Sequence, residues 1–332
     1  MGYIAVFCGG FSSEFDVSIK SGKTILNNIP EPYKGVLVIV KKGVWEAQIE
    51  GKQYPFSKED CSIAFEKQTI HIVAGIVYVH GDPGENGKIQ ALLDLNQVPY
   101  INSGPLASAL SFDKWFCNEF LRGFDIPVAQ AILLKKEERY ISEEIIDKLK
   151  LPLFVKPCDS GSSYGISKVK NSDELKRAID VAFQEGETVL LESNLDGVEV
   201  TCALYKGEKG VIKTLPLTEI FTENDFFDFD AKYKGQSQEI TPARISEEEA
   251  RKVEELSKKI YKLLQLRSIA RIDFMMVNKE PYVIEVNTTP GFSEQSIIPK
   301  MLKVKKQSYN FATASTKTKA IKQVSLLLFD QA

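Results

Sequence analysis

Histidine is nearly absent from this 332-residue sequence: only His71 and His80 occur, and neither has a partner at zinc-ligand spacing. Cysteine is sparse and scattered (Cys8, Cys61, Cys117, Cys158, Cys202), with no Cys-x-x-Cys pair. An odd, dispersed set excludes a disulfide framework and reads as reduced thiols in a cytosolic protein. There is no basic excess. Lys and Arg total 42 against 45 Asp and Glu, a net charge of −3, which excludes a broad nucleic-acid surface. No apolar run approaches the roughly 20 residues of a membrane span. No basic leader precedes the first strand-like segment, Tyr3–Phe7, so no signal peptide is expected and a cytoplasmic protein is. Internal repeats are also lacking. What remains is an ordinary globular composition, 43% hydrophobic and 26% charged, long enough for two or three structural units.

Two short segments near the C-terminal end carry the most chemistry: Arg271-Ile272-Asp273-Phe274-Met275-Met276 and Tyr282-Val283-Ile284-Glu285-Val286-Asn287. Both read as strands, with Asn278-Lys279-Glu280-Pro281 as the turn between them. Side chains alternate across a strand, so Arg271 and Asp273 share one face, as do Glu285 and Asn287. If the faces coincide, two carboxylates, an amide oxygen and a guanidinium converge. Such oxygens are the hard ligands Mg²⁺ prefers, and an adjacent Arg suits charge on a transferring phosphoryl group. The plainer reading is a solvated polar face. Against it stand the apolar neighbours Ile269, Ile272, Phe274, Met276, Val283, Ile284 and Val286, which imply a sheet buried on both sides, where charges need partners or a metal.

Upstream, strands alternate with helices: a strand at 3–8, the turn Gly9-Gly10, a helix capped by Ser13 or Asp16 and running to about Asn28, strands at 33–40 and 72–79, a helix at 88–97 and a short strand at 99–101. This pattern implies a parallel sheet, with ligands at the carboxyl ends of its strands, where Gly9-Gly10 and His80-Gly81 lie. Pro105 opens a helix through about Arg122, in which Trp115 and Phe116 are expected in the core. The strand 153–157 enters a Gly/Ser-rich turn, Cys158 to Gly165, and returns at 166–169. A helix at 172–183 and strands at 188–192 and 198–205 follow. Residues 221–238 are polar, aromatic and weakly periodic, the pattern of a long functional loop. Ser246 and Glu249 form a capping box for a helix whose core stripe is Val253, Leu256, Ile260 and Leu263. The tail beyond about residue 303 has no clear pattern. Glycines in the 158–165 hairpin allow backbone N–H groups to approach phosphate oxygens, and Lys156 on the entering strand adds a point charge. The pattern is not a Walker sequence.

Taken in order, the stretches Gly9–Ser18, His80–Gly87, Ser103–Trp115, Val155–Gly165, Asp228–Tyr233, Arg271–Asp273 and Glu285–Gly291 resemble the D-alanine–D-alanine ligases, a family of the ATP-grasp superfamily, over about residues 3–302. The resemblance implies an α/β chain (α+β in the C-terminal half). An N-terminal parallel-sheet pre-ATP-grasp domain (1–101) precedes a two-part ATP-grasp domain (102–192 and 193–332) with ATP between two sheets. It implies two Mg²⁺ ions, replaceable by Mn²⁺, on Asp273, Glu285 and Asn287. It places Lys114 and Lys156 on phosphates, Gly161, Ser162 and Ser163 in the phosphate-covering loop, Glu192 on the adenine amino group, the Ser193-Asn194-Leu195 backbone as hinge, and Glu199 on the ribose, with Phe226 and Ile284 completing the nucleotide site. Glu14 would hold the ammonium of the first D-alanine, and Ser162 and Tyr233 would link to it. Lys232 would reach the γ-phosphate from the 221–238 lid. Arg271 and the Gly291 amide would bind the tetrahedral intermediate, and Ser296, with Ile297 and His80 nearby, the second D-alanine.

The implied activity is ATP-dependent synthesis of D-alanyl-D-alanine through an acyl phosphate, for peptidoglycan precursors, by a homodimer acting on small molecules only. By their local sequence alone, Glu14 reads as a first-turn acid, His80 equally as a satisfied loop histidine, Lys232-Tyr233 as loop residues and Cys158 as incidental. Asn86 stands where the family commonly has Asp, and Phe292-Ser293 replace Met-Thr beside the second substrate site. Two other readings remain: a ligase making a D-alanyl ester or another dipeptide, against which the Tyr233 hydroxyl speaks, and a non-catalytic nucleotide-binding protein, which would be expected to lose the metal ligands or the Arg.

Overall fold

The computed structural model describes residues 2–159, 161, 165–207, 210–222 and 237–305. Three sheets organise them. In the first, β1 (Tyr3–Gly9) lies between β2 (Lys34–Val40) and β6 (Gln68–Val77), parallel to both, and β7 (Tyr100–Ile101) continues parallel beyond β6. These are the strands that the β/α alternation implied. Residues 41–67, which offered no readable element, add an antiparallel meander of β3 (Trp45–Ile49), β4 (Lys52–Ser57) and β5 (Ser62–Phe65), so the pairing β1-β2-β3-β4-β5-β6 closes on itself. In β3, buried Trp45, Ala47 and Ile49 alternate with half-exposed Glu46 and Gln48, the signature of a strand solvated on one face.

Helix α1 (Phe15–Leu26) begins directly after the β1 turn. Gly9 and Gly10 have φ of +95° and +112°, which explains the glycine pair. The N-cap is Glu14, without a side-chain cap bond, so neither Ser13 nor Asp16 caps this helix; Asp16 lies in its first turn. After α2 (Lys88–Leu95), the helix expected over 105–122 is two, α3 (Pro105–Phe112) and α4 (Lys114–Arg122). Asp113 adopts an extended conformation and its side chain accepts the Phe116 N–H at 3.0 Å, starting a new helix. The buried face of α4 is Cys117, Asn118 and Leu121. Trp115 packs partly against Ala131, Cys158 and Leu190, but Phe116 is 60% exposed and is not core.

The second sheet is antiparallel, in the order β10 (Ser167–Val169), β9 (Leu153–Pro157), β11 (Thr188–Ser193), β8 (Ala131–Lys135). One face packs on α5 (Ser142–Leu149) and α6 (Ser172–Ala182) through Ile145, Leu149, Leu175 and Ile179. The third sheet runs β15 (Ser237–Ile240), β14 (Thr218–Thr222), β12 (Val198–Lys206), β16 (Ala270–Val277), β17 (Glu280–Asn287), with β13 (Ile212–Thr214) paired to β12. The ends of the anticipated 221–238 loop are strand, since Phe221 pairs with Gln238 and Thr222 with Ser237; the rest of that loop, and the tail beyond residue 305, lie outside the described residues. Helix α7 (Glu247–Leu263) backs the third sheet, its Val253, Ile260 and Tyr261 clustering with Ile272, Phe274, Val283 and Val286, while Leu256 and Leu263 pack at the edge. Helix α8 (Ile297–Val304) brings Ile298, Met301 and Leu302 into one core with Ile4, Val6 and Cys8 of β1 and Tyr205 of β12, so the first and third sheets share apolar packing. All five cysteines are buried and free.

The capping box of α7 is present: the Ser246 hydroxyl accepts the Glu249 N–H at 3.3 Å, and the Glu249 carboxylate accepts the Ser246 N–H at 2.9 Å. Ser246→Ala is expected to lower stability by about 1 kcal/mol, seen as a lower urea midpoint with an unchanged slope. An unchanged midpoint would show that the box does not stabilise the fold.

Candidate active site

Strands β16 and β17 form the expected hairpin, turning at Asn278 and Lys279, both with positive φ. Asp273 stands opposite Glu285 and Arg271 opposite Asn287, so the two polar faces coincide. The register shifts between Asp273 and Phe274, whose partners are Glu285 and Val283. Ile284 is therefore the extra residue of a bulge. Strict alternation would send Ile284 and Glu285 to opposite faces; at the bulge both line the same cavity.

The Arg271 guanidinium grips Asp273 through two hydrogen bonds of 2.8 and 2.7 Å and reaches Glu285 at 3.5 Å. The Asn287 amide donates to Glu285 at 3.1 Å and to Asp273 at 3.3 Å. Thr201, the cross-strand neighbour of Asp273 on β12, donates its hydroxyl to the same carboxylate at 2.5 Å. Burial works against the charge of Arg271, but Asp273 and then Glu285 outweigh it, so the guanidinium is held above its ordinary value. Among the described residues no three His, Cys, Asp or Glu side chains cluster as a metal site. The donor set is two carboxylates and an amide. These hard oxygens fit a magnesium-type ion that completes its shell from a bound phosphate. The Arg271 guanidinium supplies positive charge to both carboxylates, and the Asn287 amide adds a neutral donor to each.

Two cavities meet at this cluster. The larger, about 700 Å³, is lined by Glu14, His80, Lys114, Gly161, Arg271, Glu285, Asn287, Gly291, Ser296 and Ile297. The smaller, about 130 Å³, is lined by Lys114, Lys156, Glu192, Ser193, Leu195, Glu199, Arg271, Asp273, Ile284 and Glu285. Lys114, Arg271 and Glu285 belong to both. Lys114 is the first residue of α4. Asn194 lines neither cavity. Ser162, Ser163, Phe226, Lys232 and Tyr233 lie outside the described residues.

Around the larger cavity, Glu14 sits at the N-terminus of α1, where the helix dipole favours its negative charge. A Cβ on Gly161 would lie 2.3 Å from the Glu14 carboxylate, so the backbone of Gly161 approaches Glu14 as closely as glycine permits. His80 is buried, near the Ser21 hydroxyl at 3.5 Å. Burial holds its pKa below the ordinary value, with Glu14 opposing. On the far wall, the Ser293 and Ser296 hydroxyls are 2.8 Å apart, and the Phe292 N–H donates to Ser21 at 3.2 Å. Ser296 is the N-cap of α8 but makes no side-chain cap bond.

Three residues that local sequence did not single out complete the site. Thr201 reaches Asp273 only through strand pairing. Asn118, buried on α4, donates to Glu192 at 2.8 Å, while Lys156 binds the other oxygen of Glu192 at 2.6 Å. Glu85 lines the larger cavity and accepts the Gly81 N–H at 2.8 Å. Its presence in the matched His80–Gly87 stretch was the available signal. Burial, and then the charge of Glu14, push its pKa up to about 8.

An unfolded glutamate ionises near pH 4.5, whereas folded Glu85 keeps its proton to about pH 8. Between these values the unfolded state binds fewer protons, so Glu85 destabilises the fold progressively as pH rises. Glu85→Gln is therefore expected to be more stable than the natural sequence, by a margin that grows from pH 5 to pH 8. Urea midpoints without nucleotide or metal measure this; a margin independent of pH would refute the raised pKa.

Residues 3–103 match the family profile described as D-ala D-ala ligase N-terminus, and residues 120–312 match D-ala D-ala ligase C-terminus. The chain is 42% identical over 305 residues to a D-alanine--D-alanine ligase of Azobacteroides pseudotrichonymphae, covering 90% of this chain and 94% of that one. Among solved structures it is similar to the VanG D-Ala:D-Ser ligase of Enterococcus faecalis (TM-score 0.82, 27% identity, 98% of this chain and 99% of that one). It is also similar to the D-alanine--D-alanine ligase of Bacillus anthracis complexed with ATP (TM-score 0.75, 29% identity, 98% of each). With two family profiles spanning most of its length and a 42% identical relative over nine-tenths of it, the chain belongs to the D-alanine–D-alanine ligase family, and its fold is that of the ATP-grasp ligases.

Proposed function

We propose that this protein joins two molecules of D-alanine into D-alanyl-D-alanine, with cleavage of ATP to ADP and phosphate, to supply peptidoglycan precursors. The observation that carries the reading is the meeting of the two cavities at Lys114, Arg271 and Glu285. A narrow slot of nucleotide-site residues and a larger chamber of substrate-site residues share only the groups suited to a phosphoryl group in passage.

A carboxylate does not acylate an amine at neutral pH, because oxide is too poor a leaving group; phosphorylation by ATP turns it into an acyl phosphate. Glu14 orients the first D-alanine by its ammonium and leaves its carboxylate toward Lys114 and Arg271. Glu192 and Glu199 hold the nucleotide in the slot, with Ser193 and Leu195 beside them and Lys156 turned to its phosphates. Asp273, Glu285 and Asn287 would hold Mg²⁺, or Mn²⁺ in its place, which when bound neutralises charge on those phosphates. Ser296 at the N-terminus of α8 takes the carboxylate of the second D-alanine, and His80 and Ile297 close that side. When its amine attacks, Arg271 and the Gly291 N–H stabilise the oxyanion; one such donor is worth on the order of 3 kcal/mol. Neutral His80 lends no positive charge that would repel the incoming amine. The acyl phosphate must be kept from water, a task for Ser162 and Ser163 of the glycine-rich hairpin and for Phe226, Lys232 and Tyr233 of the 221–238 segment.

A second reading, ligation of D-alanine to another acceptor, is favoured by one observation: the VanG relative with the same fold is a D-Ala:D-Ser ligase. Phosphate release with ATP, Mg²⁺ and a panel of D- and L-amino acids and D-lactate decides between them. D-Alanine alone is expected to support full turnover, and preference for D-serine or D-lactate as acceptor would replace the first reading with the second. Glu285→Gln is expected to lower kcat by roughly 100-fold or more. Normal turnover of this variant at limiting Mg²⁺ would refute the metal assignment.

A further inference from the structure

Glu192 is buried, and both its carboxylate oxygens are engaged: one accepts from Asn118 of α4 at 2.8 Å, the other from Lys156 of β9 at 2.6 Å. Asn118 is itself buried in the packed face of α4 and lines neither cavity, whereas Lys156 and Glu192 line the slot. The two bonds therefore differ in kind. The one to Asn118 is part of the interior; the one to Lys156 joins two residues that line the slot.

We propose that Asn118 is a positioning residue for nucleobase recognition: it fixes Glu192 so that the outer oxygen is an exchangeable port, held by Lys156 in the empty slot and passed to the exocyclic amino group of an adenine ring on binding. The inference rests on the nucleotide reading of the slot and extends it to a residue that touches no ligand. The chemistry closes at each end. A carboxylate oxygen can accept from an ammonium or an amino group in turn, so the buried charge of Glu192 is never left without a donor. The displaced Lys156 ammonium finds a new partner in the phosphates that arrive with the base. Recognition of the base thus releases the lysine that the phosphates need. A purine with a carbonyl oxygen at that position cannot make the exchange, because it would set an acceptor against an acceptor.

Two measurements on the full-length protein test this. Selectivity is the ratio of kcat/KM for ATP to that for ITP. Losing a buried hydrogen bond to a charged group corresponds to roughly a tenfold change, so Asn118→Leu is expected to lower the ratio about tenfold, mainly through the KM for ATP, with both D-alanine KM values unchanged. Asn118→Ala repeats the test with a smaller side chain should Asn118→Leu misfold, and Asn118→Gln, which keeps the amide donor, should recover part of the ratio. A local packing defect would depress ATP and ITP alike, and an unchanged ratio overturns the role of Asn118. The second measurement is calorimetric. Lys156→Met should bind ATP more weakly than the natural sequence but adenosine several-fold more tightly, because the competitor for Glu192 is gone. Adenosine binding that is unchanged or weaker overturns the exchange. Failure of the natural sequence to bind any adenine nucleotide would instead overturn the reading of the slot itself.

Discussion

The compensation of buried carboxylate charge on the β16–β17 hairpin is the constraint from which the rest of the site follows. Asp273 is only 6% exposed, and an ionised carboxylate at that depth needs a cation and hydrogen-bond donors. Arg271 supplies the charge in fork geometry, and Thr201 and Asn287 supply further donors. None of these could be placed by a flexible loop. They stand on three adjacent strands of one sheet, with α7 and the Ile272–Phe274–Val283 core behind them, so backbone pairing fixes their separation. The same arrangement explains how the cluster can serve a reaction. Arg271 lines the larger cavity while it holds Asp273, so one guanidinium both balances the buried carboxylate and presents charge to that cavity.

Three helix termini border the larger cavity beside this hairpin. Glu14 opens α1, Lys114 opens α4 and Ser296 precedes α8. Each terminus presents the positive end of a helix dipole, a setting suited to ligands that carry carboxylates and phosphates. Their placement depends on packing between sheets: α8 shares a core with β1 and β12, and α1 is pinned where Ser18 takes the Gly9 N–H at 2.8 Å and donates to Tyr78 O at 2.6 Å. These hydroxyl tethers tie the helix carrying Glu14 to the strands beneath it.

How much of this was legible in sequence follows from how local each signal is. The hairpin was readable because alternation over six residues is a local property, and so was the α7 capping box, whose parts are three residues apart. The break at Asp113 was missed because the apolar pattern continues through it; only the N-cap chemistry of Asp marks the new start. The meander at 45–65 was missed because its strands are short, half solvated and full of Lys, Glu and Gln. The bulge that turns Ile284 and Glu285 to the same side leaves no mark, since it is set by the pairing of β17 with β16. Thr201, Asn118 and Ser21 are equally silent. Each acts on a residue at least 59 positions away, and each is an ordinary residue for its own strand or helix. The roles given to Glu14, Lys114 and Glu192 came from the resemblance, that of Lys156 also from its place on the strand entering the glycine-rich turn, and all four line two adjoining cavities.

The 293–297 wall of the larger cavity follows a different physical logic from the hairpin. Ser293 and Ser296 are held by each other, through hydroxyls 2.8 Å apart and the Ser293 N–H to Ser296 at 3.1 Å, and Phe292 is anchored by Ser21 and by edge contact with Tyr78. All of these are neutral contacts of small or aromatic groups. Changing one of them alters the shape and hydrogen bonding of that wall without removing a partner from Asp273 or Glu285. The charged cluster allows no such freedom, because loss of one member of a buried ion pair strands the other, at about 3–5 kcal/mol. A fold built this way can vary the wall of its larger cavity one residue at a time, whereas its hairpin can change only as a unit.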